Sequence, residues 1–126
     1  MEPTVCAKRR RRIIFNALLM YSFGDVLIIN FPFSDGQVSK RRPVLVIKDT
    51  NDKDVLVAKI TSQSYKTSND INLKDWKQAG LSSPSIVRVH KIQTLHSSLV
   101  FGLIGRLTST DLIAAKKTLM RLVVNL

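Results

Sequence analysis

Cysteine is nearly absent from this chain: Cys6 stands alone among 126 residues. One thiol excludes an intramolecular disulfide and leaves nothing from which to build a thiolate metal site. It fits a reducing cytoplasm, where the protein is expected to reside. Histidine is almost as scarce. His90 and His96 are the only two, and no cysteine or carboxylate lies between them. That spacing matches no usual zinc pattern, so neither a metal nor another cofactor is expected. The five glycines form no G-x-G-x-x-G, no P-loop and no G-x-S-x-G. No apolar run approaches the ~20 residues that span a bilayer, so no membrane partner is expected. Acids are the last shortage. Nine Asp and Glu stand against 20 Lys and Arg, for a formal net charge of +11. The acids are scattered, without the pairing that glycoside hydrolysis needs. The basic excess predicts an anionic partner, with nucleic acid ahead of a membrane surface or an acidic protein.

What is present is a folding sequence. Apolar residues make up 44% of the chain, enough for one domain with a core. Its start reads differently from the rest. Lys8-Arg9-Arg10-Arg11-Arg12 precedes the apolar run at 13–20. The order imitates a signal peptide, but the run is short, Asn16 interrupts it and no small-residue cleavage site follows. Residues 1–20 are therefore expected to be a basic extension outside the fold, with 21–126 as the domain. Met20 as an alternative start and a basic arm lying on nucleic acid are both open readings of that segment.

From Tyr21 the pattern becomes regular. Phe23-Gly24-Asp25 is a turn signal before an apolar strand over 26–31, and Pro32 ends regular pairing. Residues 34–40 read as a polar loop, 42–48 as a second strand, and 54–62 as a third within hairpin distance. The polar stretch 63–72 reads as a loop, and 73–79 as a short helix stopped by Gly80. Further strands are expected at 86–92 and 99–107, where Gly102 and Gly105 suit a bend or bulge. Thr108-Ser109-Thr110-Asp111 offers caps and early negative charge to a last helix. Its Leu112, Ala115, Leu119 and Leu122 recur at helical spacing. The sum is a mainly β protein: a small antiparallel barrel or sheet with one short helix and one C-terminal helix.

The chemistry-bearing residues left are Arg, Ser/Thr, His and Lys, an inventory that suits phosphoryl chemistry without a metal. Cleaving RNA with its own 2′-hydroxyl requires proton transfer and stabilisation of phosphorane charge. The junction Lys40-Arg41-Arg42-Pro43 is the first candidate. Pro43 biases Arg42 towards extended geometry, and a guanidinium grips phosphate with a planar fork of donors. Arg42 read as half of an ion pair is an equal alternative. Arg41 is either a solvated cation or a phosphate contact. Thr61 ends the third strand, where threonine is common for β propensity alone. Lys40, Arg41, Ser62 and Gln63 are the candidate RNA contacts. Arg88 and His90 share a strand face under regular alternation. Histidine suits acid–base work near neutral pH. Trp76 reads as packing.

Taken in order, Gly24-Asp25-Val26, Phe31-Pro32-Phe33-Ser34-Asp35-Gly36, Lys40-Arg41-Arg42-Pro43-Val44-Leu45-Val46-Ile47, Ile60-Thr61-Ser62-Gln63 and Pro84-Ser85-Ile86-Val87-Arg88-Val89 resemble the PemK/MazF toxins of type II toxin–antitoxin systems. The resemblance covers roughly residues 21–123. It implies an SH3-like barrel working as a homodimer. It implies a metal-independent endoribonuclease that cuts single-stranded RNA at short preferred sequences and arrests growth. It also implies a cognate acidic antitoxin, and DNA binding by the toxin–antitoxin complex. The family's Arg-Pro arginine falls on Arg42, for transition-state charge, and its strand-end hydroxyl on Thr61. Some members carry an Arg-x-Asp pair on the later strand. Arg88 matches that arginine, and His90 stands where the aspartate would be. His90 then either replaces the carboxylate base or marks a pair that only binds RNA. Two other functions fit the same residues: a non-enzymatic gyrase poison of the CcdB type, which shares the barrel, and an inactive basic RNA-binding module.

Overall fold

The computed structural model describes residues 20–31 and 40–126. All of the expected extension at 1–20 except Met20, the end of the first strand at Pro32 and most of the expected loop at 34–40 lie outside them. Six strands follow in chain order: β1 (Asp25–Phe31), β2 (Lys40–Asp49), β3 (Asp54–Thr61), β4 (Asp70–Asn72), β5 (Ile86–His96) and β6 (Val100–Arg106). A helix, α1 (Ser109–Val124), closes the chain. All pairings are antiparallel, in the order β4-β5-β3-β2-β1-β6. The strands β4 and β6 are edges, so the sheet is curved but open, and barrel is a loose word for it.

Val, Leu and Ile form the central runs of β1 to β3, and these runs are buried on both faces. Val26, Leu45, Ala58, Ile60, Val87 and Val89 meet Ala115 of α1 on one face. Leu27, Ile29, Val44, Val46, Val55, Val57 and Leu95 pack on the other. Alternation therefore continues through the central strands, but each side meets a different core. The sheet bends through bulges. One falls where β6 passes β1: Val26 pairs with Gly105 and Leu27 with Leu103, which leaves Ile104 extra. The largest lies in β5. Ala58 pairs with Ile92 but Lys59 pairs with Arg88, so residues 89–91 have no partner in β3.

Two expectations are corrected here. The stretch 63–72 is not all loop, because Asp70–Asn72 pairs with β5 as an edge strand. The stretch 73–79 is a run of turns and not a helix. Its ends are fixed by tertiary contacts that override local helical preference. Buried Asp111 of α1 accepts hydrogen bonds from the backbone N–H of Lys74 (3.0 Å) and Asp75 (2.9 Å). The Thr108 hydroxyl donates to Asp75 Oδ2 at 2.6 Å. Gly80, at φ +93°, ends the turns against the backbone of Ile104, and Gly105 faces that of Ala79. A Cβ at either glycine would overlap the opposite carbonyl. The C-terminal helix forms as its pattern predicts. Asp111, Ala115 and Thr118 are its buried positions.

Candidate functional site

Register places the candidates more sharply than proximity in sequence does. Directly opposed residues of an antiparallel pair share a face. One row across the sheet runs Asp70–Arg88–Lys59–Val44–Leu27. Beside it, Thr61 opposes Ile86, and Arg42 opposes Ile29. Arg42 is two residues before Val44 and Thr61 two after Lys59, so all of these lie on one face. Between them opens a groove of about 640 Å³. Arg42, Lys59, Thr61, Gln63, Lys91 and Gln93 line it, over an apolar floor that includes Phe31, Val44 and Val57.

Three cations line this groove. Among the described residues, Arg42, Lys59 and Lys91 make no ion pair. The ion-pair reading of Arg42 is therefore not realised there. Thr61 ends β3 in a hydroxyl turn: the Gln63 N–H donates to Thr61 Oγ1 at 3.1 Å. The hydroxyl oxygen is thus held as an acceptor, and its own proton is left to donate outward.

The other candidates separate from this group. Arg41 points to the opposite face, where its Nε donates to Asn30 Oδ1 (3.3 Å) and its guanidinium lies 3.7 Å from the Phe101 ring centroid. Lys40 is exposed at the start of β2 opposite Phe31, and Ser62 is exposed; neither lines the groove. Arg88 is engaged. Its Nε donates to Asp70 Oδ1 at 2.8 Å, and the side chains are 11% and 2% exposed. Its guanidinium also lies 3.6 Å from the Tyr65 ring centroid. Burial alone would raise the Asp70 carboxyl. Hydrogen bonds from Arg88 and Thr67, with the Arg88 charge, outweigh that and lower it to about 2. The partner of Arg88 is therefore Asp70 on β4. His90 falls within the bulge at 89–91, where regular alternation ceases to fix side-chain direction. Its Nδ1 is buried without a hydrogen-bond partner. Trp76 packs against the core, as expected.

Sequence reasoning missed Lys59, Lys91 and Gln93 in the groove, and Asp70 and Tyr65 beside it. Lys59 carried a signal, a lone charge alternating with apolar neighbours in β3. Lys91 is aimed by the bulge, and nothing local announces that. Among the described residues, no three His, Cys, Asp or Glu side chains form a group that could hold a metal. No helix there is long and apolar enough to cross a membrane.

An open, strongly bent antiparallel sheet with a C-terminal helix and a basic groove is the architecture of a toxin class. Residues 22–123 match the family of PemK-like, MazF-like toxins of type II toxin–antitoxin systems. The chain belongs to that family. No curated protein matches it. Among solved structures, it is similar to the MazE-MazF complex of Deinococcus radiodurans (TM-score 0.69, 16% identity, 83% of this chain and 97% of that one). It is similar to an endoribonuclease in complex with its cognate antitoxin from a Mycobacterial species (TM-score 0.64, 14% identity, 82% and 95%). A Mycobacterium tuberculosis MazF toxin aligns with TM-score 0.60 at 22% identity, over 75% and 93% of the two chains. At these identities the likeness is one of fold.

Proposed function

We propose that this protein is a metal-independent endoribonuclease acting on single-stranded RNA, the toxin half of a toxin–antitoxin pair. One observation carries the reading: three cations with no ion pair among the described residues, and a hydroxyl whose oxygen is held as an acceptor, line a single groove. Phosphate entering it finds charge that no carboxylate among the described residues has neutralised. The RNA 2′-hydroxyl gives its proton to the base, its oxygen attacks phosphorus, the new O2′–P bond forms, the P–O5′ bond breaks, and the departing 5′-oxygen takes a proton from solvent water in the open groove. Arg42 stays protonated throughout and stabilises the phosphorane oxygens, while the Thr61 hydroxyl donates to one of them. Asp70, held at about 2 by Arg88 and Thr67, is a poor proton acceptor at neutral pH. His90 adjoins groove-lining Lys91 and is the candidate base. With Nδ1 buried, its contact with RNA falls to Nε2. The same charge suits an acidic cognate antitoxin, and the working unit is a homodimer in the cytoplasm.

A second reading is an RNA-binding module without catalysis. It is favoured by one fact: among the described residues, no acid or histidine lines the groove. The two readings part in one experiment. Purified protein is incubated with a long single-stranded RNA in EDTA, beside Arg42→Ala, and fragment ends are mapped. Discrete cuts by the wild type alone support the nuclease. Bound but intact RNA supports the second reading. Equal cutting by Arg42→Ala removes Arg42 from the mechanism.

A further inference from the structure

Four side chains connect the β4 edge to the groove. Asp70 uses both carboxylate oxygens. Oδ1 accepts from Arg88, and Oδ2 accepts from the Thr67 backbone (3.0 Å) and hydroxyl (2.7 Å). The Arg88 guanidinium, so anchored, lies over the Tyr65 ring, 3.6 Å from its centroid. The Tyr65 hydroxyl donates to Gln63 Oε1 at 3.0 Å. Gln63 lines the groove, and its backbone N–H holds Thr61. The surrounding loop is itself tied down: Val89 N–H donates to Asn69 O, and the Arg121 guanidinium donates to Ser68 O at 2.7 Å.

A glutamine amide is ambivalent, with a carbonyl on one side and an NH2 on the other. Here the Tyr65 hydroxyl donates to the carbonyl, which sets the amide's orientation, and both NH2 hydrogens are without an acceptor among the described residues. A donor placed against a base edge favours an acceptor there and is left unmatched by an exocyclic amine. Uracil and guanine present keto oxygens where cytosine and adenine present amines. Single-stranded RNA bares these edges to side chains.

We propose that Gln63 reads a keto-bearing base in the groove through its side-chain NH2, and that Asp70, Arg88 and Tyr65 are positioning residues that fix its amide. Arg88 thereby acts through Tyr65 and Gln63, and not on the scissile phosphate. The inference rests on RNA being the groove's ligand and gives that site a base preference.

The test uses the full chain and two random-sequence RNA pools. One pool carries 2′-hydroxyls and is sequenced at its cut ends. The other is 2′-O-methyl RNA, which cannot attack itself, and is sequenced after capture by the protein. Wild type should show a keto-over-amino preference of about 10-fold at one position, the worth of one hydrogen bond. Tyr65→Phe removes the hydroxyl and lets the amide rotate, and should flatten that position while its neighbours keep their preferences. Gln63→Glu offers acceptors only and should turn the same position towards amino bases. A merely structural role for Tyr65 would lower yield or Tm without altering a single position. An unchanged profile in Tyr65→Phe, or no inversion in Gln63→Glu, overturns the proposal. Absence of cuts in the first pool, with the preference intact in the second, overturns the nuclease reading and leaves this inference standing.

Discussion

Two arginines of this chain, Arg42 and Arg88, are expected at the site from the sequence resemblance, and the structure treats them in opposite ways. Arg42, at the start of β2, is exposed, lines the groove and has no carboxylate partner among the described residues. Arg88, near the start of β5, is mostly buried against Asp70 and Tyr65. They share a sheet face, so direction alone does not distinguish them. The difference is what each charge has left to give. A guanidinium matched to a buried carboxylate has little field to offer a phosphate, whereas an unmatched one in a groove acts at nearly full strength.

The comparison breaks first at Arg42. Arg42→Ala should lower the cleavage rate by about 10²–10³-fold, the usual loss for one preorganised charge-stabilising group. Its stability should stay within ~0.5 kcal/mol of wild type, because the side chain is exposed and has no ion pair among the described residues. Single-turnover kinetics beside urea unfolding separates the two. A large stability loss would mean that Arg42 has a structural partner after all.

Arg88 should behave the other way in the same assays. Arg88→Ala strands a nearly buried Asp70 and should cost about 2 kcal/mol, below the figure for a fully buried pair because Arg88 keeps some exposure. Urea unfolding gives the number directly. Unchanged stability with cleavage abolished would return Arg88 to the reacting phosphate.

These contrasts also show where the sequence was informative. Strands β1 to β3 are legible as short continuous apolar runs between turn signals, with a core on each side, and the C-terminal helix because its apolar residues repeat at period 3.6. That Arg42 and Thr61 would share a groove is legible in part, because strand ends and Arg-Pro are local signals. Three things were hidden. The pairing of Asp70–Asn72 depends on β5, since three residues carry no period of their own. The turns at 73–79 depend on Asp111, 36 residues beyond Asp75 in the chain. The bulge at 89–91 is set by how β5 crosses β3, and it undoes the even spacing that put His90 beside Arg88.

A subtler separation lies in acid. The Asp70 carboxyl is lowered to about 2 in the folded protein, against ~3.9 when unpaired. A depressed folded value means stability present above the unfolded value and lost as pH falls through the interval towards about 2. Wild type should therefore lose stability progressively below pH ~4, and Asp70→Asn should lack that part of the acid limb. Circular dichroism melts from pH 6 to pH 2 (about five points) would show it. Parallel curves would mean that the pair persists in the unfolded chain or contributes nothing.

The smallest effect sharpens the contrast most, because it counts charges and ignores chemistry. RNA binding releases condensed counterions, and for single strands log K falls against log salt with a slope near −0.7 per phosphate neutralised. Lys59→Ala and Lys91→Ala should each flatten that slope by about 0.7, whether or not either residue affects cleavage. Arg88→Gln should leave it unchanged, since Asp70 already neutralises that cation in the free protein. The titration uses 2′-O-methyl RNA, so that cutting cannot distort the equilibrium. If Arg88→Gln flattens the slope as much as Lys59→Ala does, the Asp70 pair opens on RNA binding. The two arginines would then differ only before the ligand arrives.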